Sequence, residues 1–236
     1  MAQAGMHALV GVAAGKVSPK REWLILGIVL GNLFPDFDNY AVAVATVTGL
    51  ETEGLHRTFT HSLLFIAAAV LIFYAVAQIR KQPRWFHLGI GFGVGVAMHI
   101  VLDLLLWFNG VELLWPLGGW INFWESATPP VWFMKLMDPL EFLFFALYFA
   151  WLAGAARTHH TDGEFLPTLR LWTIAMIVLL IAFAPLTFIT NSLYFSIYGV
   201  VYLVSITAAF VITIRMRQTV EAPFVHHQPL KMQPSL

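Results

Sequence analysis

Long stretches of this chain contain almost nothing that water would solvate. Runs such as "HSLLFIAAAVLIFYAVAQ" and "LWTIAMIVLLIAFAPLTFIT" read as predominantly apolar segments, and about 18 or more such residues suffice to cross a bilayer as a helix. Only 11% of the 236 residues are charged, against 59% hydrophobic; soluble domains carry roughly 25% charged residues. In lipid the backbone must satisfy its own polar groups. The expected class is therefore all-α: a polytopic membrane helical bundle with about 5–7 membrane segments.

The apolar runs set the organisation. Residues 4–17 and 22–34 give two short helices, and Pro35 ends the second. Residues 41–49 are apolar but too short to span, which fits a re-entrant or interfacial piece. Spans are expected at 60–79, 85–108, 139–156, 169–190 and 193–214, with a Trp- and Pro-rich loop over 109–137. Residues 1–217 read as one membrane-embedded domain, with polar chemistry concentrated in about 1–145 and apolar spans over about 139–214. Residues 218–236 read as a disordered tail. The start of the chain lacks the basic leader of a signal peptide.

Eleven of the thirteen Lys and Arg fall on one side if the helices alternate; only Arg57 and Lys135 fall on the other. The positive-inside rule makes the basic side cytoplasmic, with the N-terminus outside and the C-terminus inside. Nine of the thirteen acids have the opposite bias: Asp36, Asp38, Glu51, Glu53, Asp103, Glu112, Glu125, Asp138 and Glu141. Acids contribute little to topology, so a cation site is a natural cause. Net charge is zero, which gives no reason to expect nucleic acid. There is no cysteine, so any metal must be held by imidazole and carboxylate.

Such groups are present and should converge on the non-cytoplasmic end. His7 lies on the first helix. Asp36 and Asp38 flank a Pro break in "NLFPDFDNY". His56, Arg57 and His61 sit in "GLHRTFTHSLL", at the mouth of a span, and His99 and Asp103 in "MHIVLDLLL" share one helical face at i, i+4. His56 and His61 can converge if the helix starts after His56, capped by Thr58 or Thr60. Structural roles compete with each assignment. His7 could hydrogen-bond a neighbouring helix, His99 and Asp103 could form a buried pair, and Arg57 could anchor at the interface. Asp138 and Glu141 could answer a helix dipole. His159, His160, His226 and His227 read as solvated. Ionisable residues inside a membrane are nonetheless costly and usually functional.

"LFPDFD", "HRTFTHSLL" and "HIVLDLLLWFNGVELLWP" together resemble the YdjM-like family of inner-membrane proteins, described as metal-dependent hydrolases, one of them under LexA control. The resemblance covers about residues 5–120 and places His7, Asp36, Asp38, His56, Arg57, Thr60, His61, Ser62, His99, Asp103, Trp115 and Pro116 at its motif positions. The chain departs from the pattern at Asn39, Leu55 and Thr58. A more distant similarity, to the zinc-dependent phospholipase C and single-strand nuclease superfamily, implies His7, Asp36, His56, His61, His99 and Asp103 as ligands of one to three divalent ions, zinc foremost. For such chemistry the candidate catalytic groups are Asp36, Asp38 and Arg57, with Thr60, Ser62 and Asp138 as supporting donors or further ligands.

The expected activity is hydrolysis of a phosphoester, with bound metal lowering the pKa of water toward ~7. A site at headgroup depth, beside Trp107, Trp115, Trp120, Trp124 and Trp132, points to membrane lipid: a phospholipid or polyprenyl phosphate. Those tryptophans also serve as interfacial anchors. Two rivals use the same ligands. A divalent-cation transporter would need polar groups across the bundle, and 169–190 and 193–214 carry no acid or His. A protein with a purely structural metal would cleave nothing.

Overall fold

The computed structural model describes residues 3–106, 110–189 and 192–224. Its helices are α1 (Ala4–Ala14), α2 (Leu24–Leu33), α3 (Asn39–Thr48), α4 (Leu63–Arg80), α5 (Pro83–Leu106), α6 (Val131–His159), α7 (Leu166–Leu186), α8 (Ser192–Arg215) and α9 (Arg217–Glu221). Five of them are long and apolar enough to cross a bilayer: α4, α5, α6, α8, and α7 with the turn before it. The fold is an all-α polytopic bundle, as the apolar runs require.

The two short helices form its centre. α1 and α2, of 11 and 10 residues, make a hairpin inside the long helices, and every residue of α2 is buried. At about 1.5 Å per residue neither could cross a ~30 Å hydrocarbon layer. Packed largely against the long helices, they do not have to.

Glycine sets how closely this hairpin is held. α2 runs parallel to α5, with Gly27 and Gly31 facing Gly91 and Gly95. A Cβ at Gly31 would overlap the Phe92 carbonyl oxygen, and one at Gly95 the Ile28 carbonyl oxygen. Small residues are what let two backbones meet at this distance. On the other flank, Gly5 of α1 lies against the α6 backbone at Phe145, where a Cβ would come within 2.6 Å of the amide nitrogen.

Helix directions define two ends. At the basic end, Arg84 meets Glu22 at 3.5 Å and Asp162 accepts from the Thr219 amide at 3.0 Å. Glu221 accepts from the Leu26 amide at 2.7 Å, satisfying an N–H of the first turn of α2. Residues 217–221, which the sequence assigns partly to the tail, are thus an α-helical clasp; 225–236 lie outside the described residues.

The opposite end departs from expectation in two places. The loop expected over 109–137 stops at Pro130, and α6 starts eight residues before Pro139 rather than at it. Proline inside a helix strips a donor from the carbonyl four residues earlier. Here that carbonyl belongs to Lys135, and the Thr187 hydroxyl donates to it at 2.6 Å, so the helix runs through. The α4 cap is Ser62, whose Oγ accepts from the Phe65 amide at 3.1 Å, and neither Thr58 nor Thr60. The loop from residue 110 folds over the site. Glu112 N–H donates to the Arg57 carbonyl at 2.9 Å, Leu63 N–H to the Leu113 carbonyl at 3.0 Å, and Trp115 packs on Phe59. α3 lies along the outside, with Tyr40 hydrogen-bonded to Thr207 of α8 at 2.6 Å.

Candidate metal centre

Five segments deliver imidazoles and carboxylates to one place. The first turns of α1 bring His7. A 3₁₀ turn after α2, started by Pro35, brings Asp36 and Asp38. The loop before α4 brings His56 and, through a second 3₁₀ turn, His61; α5 brings His99 and Asp103. His7, Asp36, His61, His99 and Asp103 are each at most 1% exposed.

Three groups of ligand atoms each fall within 4.8 Å of one another: His7, His99 and Asp103; Asp36, His61 and His99; Asp38, His56 and His61. His99 belongs to two of them and His61 to two, so the groups form a continuous chain. His7 stacks on His99 with ring centroids 3.8 Å apart, and its Nε2 lies 3.3 Å from Asp103 Oδ1.

The tautomers explain what the chain of groups is suited to hold. His99 Nδ1 donates to the Asn32 carbonyl at 2.7 Å, which leaves Nε2 as a lone pair. His61 Nδ1 lies 3.0 Å from Thr60 Oγ1 and 3.3 Å from Asp38 Oδ2, and the Thr60 hydroxyl itself donates to Asp38 at 2.9 Å. Nδ1 of His61 is therefore the donor, and in the neutral ring Nε2 is a second lone pair. The two Nε2 atoms face each other at 3.1 Å. Two lone pairs at that distance need a cation between or beside them, a proton or a metal.

The surrounding acceptors make the same demand, and a neighbouring guanidinium makes the opposite one. Both nitrogens of His7, both oxygens of Asp36 and of Asp103, His56 Nε2 and all three guanidinium nitrogens of Arg57 are buried without a hydrogen-bond partner. Each unsatisfied group costs about 1–3 kcal/mol, and a whole domain is stable by only about 5–15 kcal/mol. A cluster of this size persists only if something satisfies it. The donor set of imidazole and carboxylate fits zinc, manganese or iron.

Proton affinities vary across the cluster. Burial pushes the Asp36 carboxyl up to about 7, with the neighbouring carboxylates of Asp103 and Asp38 adding to it against the pull of His7. Burial would also raise Asp38, but hydrogen bonds from His56 and His61 outweigh it and hold Asp38 well below the carboxylate range. Burial lowers His56, only partly offset by Asp38. It would lower His61 too, yet Asp103 and Asp38 together hold that imidazole up at about 9.

Arg57 is fixed by its backbone. Its φ is +62°, a left-handed value that a non-glycine residue holds only under constraint. The constraint comes from both sides: its N–H donates to Asp38 Oδ2 at 3.1 Å and its carbonyl accepts from Glu112. The side chain lies 3.4 Å from Asp103 Oδ2, a looser contact than a hydrogen bond.

Asp38 is an organiser as well as a possible ligand, since His56 Nδ1 (2.6 Å), Arg57 N–H and Thr60 all bond to it. Ser62 spends its hydroxyl on the α4 cap and on the Phe59 carbonyl at 2.7 Å. Asp138 lies outside the three groups, accepting from Tyr194 at 3.1 Å. Glu141 accepts from the Gly5 amide at 3.1 Å, capping the helix that carries His7. His159 and His160 are exposed; Trp107, His226 and His227 lie outside the described residues. Sequence reasoning missed the Asn32 carbonyl, which no side-chain motif marks. It also missed Tyr194, Tyr198 and Tyr202, stacked at i, i+4 spacing along α8, with the last two hydroxyls buried and unpartnered. Their spacing was the available signal.

The model of the family described as YdjM inner membrane protein matches residues 1–218, nearly the whole chain. No curated protein and no solved structure matches it. The chain belongs to this family and is an integral inner-membrane protein.

Proposed function

We propose that this member of the YdjM inner membrane protein family is a metal-dependent phosphoester hydrolase that acts on a lipid or polyprenyl phosphate at the non-cytoplasmic membrane face. The observation that carries this reading is the pairing of a buried His/Asp cluster with a buried guanidinium that lies 3.4 Å from Asp103 but has no hydrogen bond to any of its three nitrogens. A structural metal needs only the first. A site for an anion needs both.

The residues that would hold metal are His7, Asp36, His56, His61, His99 and Asp103, with Asp38 within reach. A divalent ion, zinc foremost, would supply Lewis acidity toward a phosphoryl oxygen and an attacking water. Asp36 is the candidate to bridge ions or to take the proton of the attacking water, with Asp38 second. Arg57 presents its fork to the non-bridging oxygens of the phosphate. Asp38 keeps His56, His61 and Thr60 in register, and near-complete burial strengthens every one of these interactions.

The test is metal analysis and phosphoesterase assay of the purified protein beside His61→Ala and Asp103→Asn. Joint loss of metal and hydrolysis in folded variants supports the enzyme. Metal-dependent ion flux in vesicles without hydrolysis would replace it with the transporter reading. Metal loss that unfolds a protein with no esterase activity would leave a structural site.

A further inference from the structure

A cavity of about 1110 Å³ lies between α4 and α8, with α2 and α5 as its floor. It exceeds the ~300–1,000 Å³ of ordinary ligand pockets. Its middle is entirely apolar, formed by Leu26, Leu30, Ala69, Ile72, Leu88 and Phe92. Nothing there could orient a polar molecule. Because α4 and α8 are both membrane-crossing helices, the cleft between them faces acyl chains rather than water.

Its two ends differ. At the basic end Arg84 pairs with Glu22 at 3.5 Å and sits 4.4 Å over the Trp23 ring, Glu221 is bonded to the α2 backbone, and Arg217 is exposed to solvent. At the other end the wall is Phe34, Phe59 and Phe65. Phe59 directly precedes Thr60 and His61 and stands two residues after Arg57, whose guanidinium has unpartnered donors. Buried guanidinium donors without a hydrogen-bond partner therefore stand at the metal-centre end, whereas the arginines lining the basic end are paired or exposed. From Trp23 to Phe34 the floor runs about 16 Å along a helix, roughly half the hydrocarbon thickness.

We propose that this groove holds the hydrocarbon chain of the substrate, a phosphate carried on one long chain that runs from Phe59 toward Trp23 and Trp85 while its head meets Arg57 and the metal ligands. The assignment rests on the hydrolase reading for the head and on the groove for the tail. Ala68 and Ala69 are the small residues that keep the channel open on the α4 side.

The experiment uses the full protein in nanodiscs with a long-chain isoprenyl monophosphate and a diacyl phosphatidic acid, each bearing a diazirine at the chain terminus. Adducts concentrated near Trp23 and Trp85, and lost in Ala69→Trp and Ala68→Trp variants that keep their metal, are the expected result. The preferred probe identifies the lipid source. Adducts spread evenly over the outer faces of α4 and α7, or unchanged in both variants, would overturn the proposal, and wild-type mapping alone decides it if the variants do not fold. In parallel, the ratio of kcat/KM on the long-chain phosphate to that on p-nitrophenyl phosphate should fall about tenfold or more in the variants. Mapped adducts with no hydrolysis of either ester would sink the hydrolase reading and leave the chain site standing. Hydrolysis with an unchanged ratio would do the reverse.

Discussion

His61 and His99 each sit in two ligand groups, whereas His7 and His56 sit in one. Removing a shared ligand should therefore cost more metal than removing a terminal one. Elemental analysis of His61→Ala and His99→Ala is expected to show greater loss than His56→Ala and His7→Ala; equal losses would mean that the groups do not act as a chain. Ligands bind metal only when deprotonated. With Asp36 at about 7 and His61 at about 9, bound protons compete at neutral pH, so affinity should tighten as pH rises from 6 to 9. Calorimetry in buffers of different ionisation enthalpy should register proton release at pH 7, and a pH-independent affinity would count against these ligands. Arg57→Lys keeps the positive charge beside Asp103 but loses the fork. It should retain metal while kcat/KM falls about 10²-fold, the typical cost of one lost transition-state donor; an undiminished rate would remove Arg57 from the phosphate. At this scale the sequence was most informative, because an ionisable side chain in an apolar run stands out by cost alone. It was silent about Asn32, whose contribution is a carbonyl, and about the seat of Arg57, which depends on a backbone angle set by Asp38 and Glu112.

The packing of α2 against α5, which no motif encodes, positions His99 in the cluster. Asn32 immediately follows Gly31, and its carbonyl fixes the His99 tautomer. A methyl group at Gly31 or Gly95 would press on the carbonyl oxygen of Phe92 or Ile28, so α2 must move away from α5. Gly31→Ala and Gly95→Ala should each destabilise by about 1–3 kcal/mol and weaken metal binding with no ligand touched. Gly154→Ala on α6, where a Cβ would meet nothing within 4 Å, is the control and should be neutral. Thermal melting and metal content read both, and a harmless Gly95→Ala would show that the α2–α5 contact does not position the site. The spans were legible because their hydropathy is long-range and redundant. The start of α6 was not, because Pro139 reads locally as a boundary and the hydroxyl that rescues its freed carbonyl comes from Thr187, across the bundle. Burial of the α1–α2 hairpin was equally hidden, since a short apolar helix looks the same whether it touches lipid or protein.

For the whole molecule the open variable is orientation, and the charge distribution makes a definite prediction about it. The ends of α4, α6 and α8 and the starts of α5 and α7 carry Arg80, Lys81, Arg84, Arg157, Arg170 and Arg215, while Arg57 and Lys135 belong to the metal-centre end. Positive charge resists translocation, so the first end should face the cytoplasm. The chain has no cysteine, so single replacements report without a background. Glu53 and Gln82 are exposed at opposite ends. Glu53→Cys should react with a membrane-impermeant thiol reagent on intact spheroplasts, and Gln82→Cys only after lysis. The reverse pattern would place the metal centre on the cytoplasmic side. The ligand chemistry would survive that result unchanged, but the lipid in the groove would then have to come from the inner leaflet, so this labelling decides which leaflet supplies the phosphate.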